Sequence, residues 1–137
     1  MILIDTGPII ALFDPRDHKH ERCAEVLSGI RDRLITTVPV LTEAFHILSP
    51  ESQGSDRLRD FMEQEGLSVW FLDNESLRRA LELMESYRDQ PMDLADASLL
   101  VAAEKLKTGK VFTLDRKDFT TYRIRRGHRH YAVEVIC

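Results

Sequence analysis

Four short apolar runs, each separated from the next by stretches with helical spacing, constrain this chain more than any other feature. Met1–Asp5, Leu34–Thr37, Leu67–Leu72 and Val111–Leu114 read as strands, and Tyr131–Ile136 reads as a fifth. Between them, Ile9–Phe13 reads as a short helix, with Pro8 suited to its first position. Asp17 is placed to cap a helix running to about Gly29, and Pro39 opens one ending near Leu48. Ser55–Glu65 is helical in period, with Gly66 expected as its C-cap. Glu75–Tyr87 carries a stripe of Leu77, Ala80, Leu81, Met84 and Tyr87, and Asp93–Leu106 is the last helix. Strands alternating with helices predict an α/β fold with a mainly parallel sheet covered on both faces. The segment Arg116–His130 reads as one long irregular loop.

The second constraint is chemical. Asp5 closes the first apolar run, Glu43 lies inside VPVLTEAFHIL, Asp96 lies in the first turn of DLADASLLVAAE, and Asp115 closes VFTLD. Ionised carboxylates are almost never buried unless paired or metal-bound. In a doubly wound sheet, ligands bind at the carboxyl ends of the strands, where the strand order reverses. If the first strand is central, with the fourth on one side and the second on the other, all four acids share that end. Their repulsion then calls for a cation, and a hard ion such as Mg2+ or Mn2+ prefers oxygen ligands. Such a site suits in-line hydrolysis of a phosphodiester. It requires no Ser, Cys or His nucleophile.

Asp93 and Asp96 compete for one role at the start of a helix, where acids are stabilised by free N–H groups and the dipole. Asp93 fits the N-cap, which leaves Asp96 for the metal. Asp115 is preferred over Asp118 because it follows the strand directly, and Asp118 is a supporting or surface residue. Thr6 and Thr113 flank Asp5 and Asp115 and are candidates to orient water or a carboxylate. His18 and His20 lack partners for a zinc site, and Trp70 and Phe71 read as packing residues.

The net charge of −4 hides an asymmetry. Lys105–His130 holds nine Lys and Arg against Asp115 and Asp118, a segment charge of +7 in an acidic chain. Such a patch suits a polyanion. Arg116, Lys117, Arg123, Arg125 and Arg126 are placed to hold substrate phosphates, or an acidic partner segment. With 137 residues and 43% apolar content, one domain over 1–137 is expected. No apolar run nears the roughly 18 residues of a membrane span. The start lacks a basic leader, and Cys23 and Cys137 form no framework, so a cytoplasmic protein is expected.

In the order and spacing of MILIDTGPIIALFD, VPVLTEAFHIL, DLADASLLVAAE and VFTLDRKDF, the chain resembles the PIN-domain ribonucleases, most closely the VapC toxins. The resemblance implies a three-layer α/β/α fold with a five-stranded parallel sheet in the order 3-2-1-4-5. It also implies an acidic quartet of Asp5, Glu43, Asp96 and Asp115, with Thr6 and Thr113 as supporting hydroxyls. It further implies a metal-dependent endoribonuclease acting on RNA, held by an antitoxin and forming a homodimer. Two rivals remain. One is a PIN-like module that binds RNA or protein without cutting. The other is a phospho-receiver, for which Asp73 is a weak phosphoacceptor and an acidic pair after the first strand is missing, since Thr6 follows Asp5.

Overall fold

The chain begins with β1 (Ile2–Ile4), whose side chains are all buried. Burial on both faces explains the unbroken apolar run there. A computed structural model describes residues 1–137. After β1 come α1 (Thr6–Phe13), α2 (His20–Gly29), β2 (Leu34–Thr37), α3 (Val38–Leu48) and α4 (Gln53–Glu63). Then follow β3 (Ser68–Trp70), α5 (Asn74–Ser86), α6 (Leu94–Leu106), β4 (Lys110–Phe112) and α7 (Arg116–Thr121). The chain closes with β5 (Arg123–Arg126), β6 (Arg129–Ala132) and β7 (Glu134–Ile136).

β1, β2, β3, β4 and β7 form a parallel sheet in the order β3-β2-β1-β4-β7. This is the expected 3-2-1-4-5 arrangement, with β7 as its fifth strand. The chain moves outward from β1 to β3, then crosses back to β4 on the other side of β1. With right-handed crossovers, that reversal places α1–α4 on one face and α5–α6 on the other. The switch point therefore lies between β1 and β4, and the carboxyl ends of those two strands open onto it.

Local chemistry sets most element starts. Ser52 accepts from Ser55 N–H at 3.0 Å, Asp73 from Ser76 N–H at 2.8 Å and Asp93 from Asp96 N–H at 2.8 Å. These are N-caps satisfying otherwise orphaned amides. α6 is buried almost all round, from Ala97 through Ala103. A helix without a polar face belongs inside, and α6 packs between α5, the sheet and β5. One apolar cluster joins its Leu99 and Leu100 to Leu3, Ile4, Val111 and Phe112 of the sheet. Two buried threonines on β2 are satisfied: Thr36 Oγ1 donates to Ile4 O at 2.9 Å, and Thr37 Oγ1 bonds Ser98 Oγ at 2.6 Å.

Several expectations are corrected. The segment Arg116–His130 is not irregular: it holds α7 and most of an antiparallel β5–β6 ribbon. Asp115 caps α7 by accepting from Asp118 N–H at 3.2 Å, and buried Ile124 anchors the ribbon. Gly127, at φ 61°, supplies the positive φ of a two-residue hairpin loop. Dense Arg and His masked that strand pattern. Tyr131 and Ala132 consequently belong to β6, and only Glu134–Ile136 joins the sheet. α1 starts at Thr6, so Pro8 is its third residue, still within the turn whose amides need no helical acceptor. α2 starts at His20, and Asp17 instead accepts from Lys19 N–H in the preceding turn. On α5, Leu77 and Leu81 face outward while Ala80 and Leu83 are buried.

Gly66 is not a left-handed cap; Glu65 takes the positive φ of 64°. Its role is steric. A Cβ at Gly66 would stand 2.4 Å from the Phe61 ring, which is itself packed against Phe13 at a centroid distance of 5.5 Å. Gly66→Ala is therefore expected to destabilise the protein by about 1–3 kcal/mol through overpacking, read from the midpoint of urea unfolding. An unchanged midpoint would show that the two rings yield freely.

Candidate active site

The carboxyl ends of β1 and β4 open into a cleft of about 760 Å³. Asp5, Glu43, Asp93, Asp96, Asp115 and Asp118 all line it, and no Lys or Arg does. The four acids singled out in the sequence are thus brought together, from the end of β1, the middle of α3, the first turn of α6 and the start of α7. Thr6 lines the cleft as well.

Asp5 sits at the N-cap position of α1, yet its side chain makes no capping bond. It accepts instead from the Thr113 hydroxyl at 2.8 Å, and Thr113 Oγ1 in turn accepts from Asp115 N–H at 3.0 Å. One buried threonine therefore ties the ends of β1 and β4 together. Asp93 is the α6 cap, as expected, and Asp96 is free to face the cleft. Asp96 Oδ2 accepts from the hydroxyl of buried Tyr122 at 3.0 Å. Asp118 Oδ1 accepts from Gln90 Nε2 at 2.9 Å.

The site is electrostatically tense. Burial pushes the Asp5 carboxyl up to about 6, against the lowering pull of the Thr113 hydroxyl, with Glu43 and Asp93 adding repulsion. Burial also raises Asp96 to about 8, reinforced by the charges of Asp93 and Asp5, while the Tyr122 hydroxyl works the other way. Asp115 is raised by burial and by its neighbour Asp118. Burial and the Asp96 charge hold the Tyr122 phenol protonated, so it acts as a donor.

Two observations bear on whether a cation fits. Every charged group on the cleft is a carboxylate, a hard oxygen donor. The Thr6 hydroxyl is buried without any hydrogen-bond partner, and such an orphan at a cleft is a place where a ligand or its water would be bonded. As the side chains stand, no three of the acids are grouped to hold one ion. Mg2+ needs less than that, because it keeps several waters and takes one or two carboxylates. The donor set therefore fits a divalent ion of the Mg2+ or Mn2+ kind.

The five basic residues expected at the substrate lie outside the lining of this cleft. Arg116 and Lys117 follow Asp115 on the first turn of α7. The Arg123 guanidinium is occupied, donating to the carbonyls of Thr120 at 2.7 Å and Tyr122 at 2.9 Å, where it closes the end of α7. Arg125 and Arg126 are on the ribbon. Tyr122 and Gln90 are the contributors that the sequence reading missed. A tyrosine among apolar neighbours reads as core, and only its need for a hydroxyl partner hinted at more.

The sequence compares with known proteins as the geometry suggests. The model of the PIN domain matches residues 2–124. This chain belongs to the PIN-domain family. It is 28% identical over 135 residues to Ribonuclease VapC26 of Mycobacterium tuberculosis, covering 96% of this chain and 99% of that protein. Among solved structures, Mycobacterium tuberculosis VapC20, described as a toxin that cleaves the sarcin–ricin loop, superposes with a TM-score of 0.76 at 15% identity. That match covers 84% of this chain and 90% of the other. A toxin–antitoxin complex from Klebsiella pneumoniae matches with a TM-score of 0.67 at 20% identity, covering 87% and 90%. These likenesses establish a PIN fold of the VapC kind.

The raised carboxyls make a testable demand on the metal-free PIN domain. The folded Asp96 titrates near 8, above its ordinary value near 3.8 in the unfolded chain. The cost of its charge is therefore absent below about pH 4 and grows as the pH rises toward 8. Asp96→Asn is expected to melt roughly 3–8 °C higher than the parent in EDTA at about pH 7.5, and to converge with it at about pH 4. Thermal melts at the two pH values check this. A variant that melts lower at neutral pH would overturn the reading.

Proposed function

We propose that this PIN domain is a metal-dependent endoribonuclease that hydrolyses RNA phosphodiester bonds as the toxin of a toxin–antitoxin pair. The observation that carries the reading is the all-carboxylate cleft at the β1–β4 switch point. The likeness to Ribonuclease VapC26 over nearly the whole of both chains supports it. The fold shared with a toxin–antitoxin complex supports a cognate antitoxin as partner. A homodimer in the cytoplasm completes the proposal. No helix is long and apolar enough to cross a membrane.

Asp5, Asp96 and Asp115 are the residues that would hold Mg2+ or Mn2+, directly or through water. The ion, when bound, supplies positive charge for the scissile phosphate and acidifies a nearby water. The protein's own part is positional. Thr113 fixes the Asp5 carboxylate, and Tyr122 fixes one oxygen of Asp96 while leaving the other to the cleft. Glu43, half-buried on α3 opposite these strand ends, orients the attacking water and takes its proton. Thr6 offers a hydroxyl to that water. Arg116 and Lys117, exposed on α7 beside Asp115, steady the flanking phosphates. Such contacts position RNA without reading its bases.

The test is cleavage of a total-RNA pool by the antitoxin-free protein with Mg2+, with Mn2+ and with EDTA. Cutting is expected with either metal and none in EDTA. Asp5→Asn is expected to fold and to lose roughly 10²–10⁴-fold in rate. Full activity in that variant with metal in excess would sink the assignment. RNA binding without any cutting would favour a non-catalytic module.

In the same protein, Mg2+ or Mn2+ at saturating concentration is expected to raise the melting temperature, because binding relieves the crowded charge and stabilises the folded state by mass action. Differential scanning calorimetry with and without metal measures it. A melting temperature unmoved by either ion would contradict a metal site in the cleft.

A further inference from the structure

The β5–β6 ribbon breaks a local rule with no acidic side chain paired to its facing cations. Its pairing sets Arg126 opposite Arg129, and Arg125 opposite His130. The guanidiniums of Arg126 and Arg129 are like charges directly across an antiparallel pair, which destabilises it. A lone two-stranded ribbon is marginal to begin with. No Asp or Glu occurs from Phe119 to Val133, and neither Arg126 nor Arg129 enters an ion pair. Beyond buried Ile124, every ribbon residue from Arg125 to Ala132 is exposed. The single favourable contact of these cations is Arg126 over the Tyr131 ring at 5.8 Å.

This concentration of unpaired guanidinium stands out in a chain whose net charge is −4. It also lies apart from the cleft. The ribbon is held to the body through Arg125 N–H donating to Glu104 at 3.3 Å. Glu104 is eight residues beyond Asp96 on α6, about 12 Å along the helix. No ribbon residue lines the acidic cleft. The PIN-domain match ends at Ile124, so most of the ribbon lies past it.

We propose that the β5–β6 ribbon is a second RNA-binding surface, separate from the acidic cleft, on which Arg126 and Arg129 hold backbone phosphates and Tyr131 offers a stacking face. Paired guanidiniums beside an exposed aromatic ring suit nucleic acid better than an acidic peptide, which has no bases to stack. The inference rests on the ribonuclease reading and extends it to the substrate class. An RNA that touches ribbon and cleft together reaches well past the scissile bond, so the substrate is a folded or extended RNA rather than a dinucleotide.

The experiment measures binding of a stem-loop RNA of about 20 nucleotides by the full chain carrying Asp5→Asn, with fluorescence anisotropy across a salt series. Adding Arg126→Ala and Arg129→Ala is expected to weaken binding about tenfold at low salt and to make the slope of log K against log salt shallower by about two. Arg126→Lys with Arg129→Lys is expected to keep the parental slope, and circular dichroism confirms the fold of each variant. An unchanged affinity and slope in the alanine variant, with metal-dependent cleavage intact in the unmutated protein, would overturn this inference alone. Absence of both RNA binding and cleavage in the unmutated protein would overturn the ribonuclease reading with it. Loss of binding to a glutamate-rich peptide, with RNA affinity unchanged, would assign the ribbon to a protein partner and reject the proposal.

Discussion

The Thr113 hydroxyl is the joint on which the site depends. It donates to Asp5 at the end of β1 and accepts from the backbone of Asp115 beyond β4. Those two strands are neighbours only because the chain reverses its direction of winding between them. A cleft at such a reversal is a general property of open α/β sheets. What is particular here is that both strand ends bring an acid, and that a small buried hydroxyl satisfies one without neutralising it.

Around that joint the protein accumulates negative charge that its own cations do not offset. Asp5 and Asp96 are buried enough to resist ionisation, and Asp93 and Asp118 add to the crowding while serving as cap and helix residue. The surrounding structure tolerates this because the sheet and α6 are heavily apolar and nearly all of their polar groups are bonded. Local tension at a site supported by a well-packed body is the usual relation between function and stability. The basic ribbon is the opposite case: positive charge gathered on strands exposed to solvent.

Much of the fold was legible in the amino-acid order. Short apolar runs closed by Asp5 and Thr37, and caps such as Asp93, are local signals that survive into the structure. That Asp5, Glu43, Asp96 and Asp115 would meet in one cleft was legible for the same reason: each sits where its own neighbours make it anomalous. What could not be read depends on contacts distant in sequence. Tyr122 looks like core until Asp96, 26 residues away, is placed against its hydroxyl. The ribbon was hidden because its Arg and His run suppresses the alternation by which strands are recognised, leaving Ile124 as its lone inward residue. The position of Gly66 after a helix suggests a backbone cap, whereas the constraint is the Phe61 ring lying over it.

The acids of the cleft come from residues 5, 43, 93, 96, 115 and 118, carried on four separate parts of the chain. No stretch of the polypeptide holds a miniature version of the site, and parallel pairing joins strands that are far apart along the chain. A growing chain leaving the ribosome with β1 and α3 already formed would still lack Asp96 and Asp115. The assembled carboxylate cleft thus arrives in one step, when β4 takes its place beside β1.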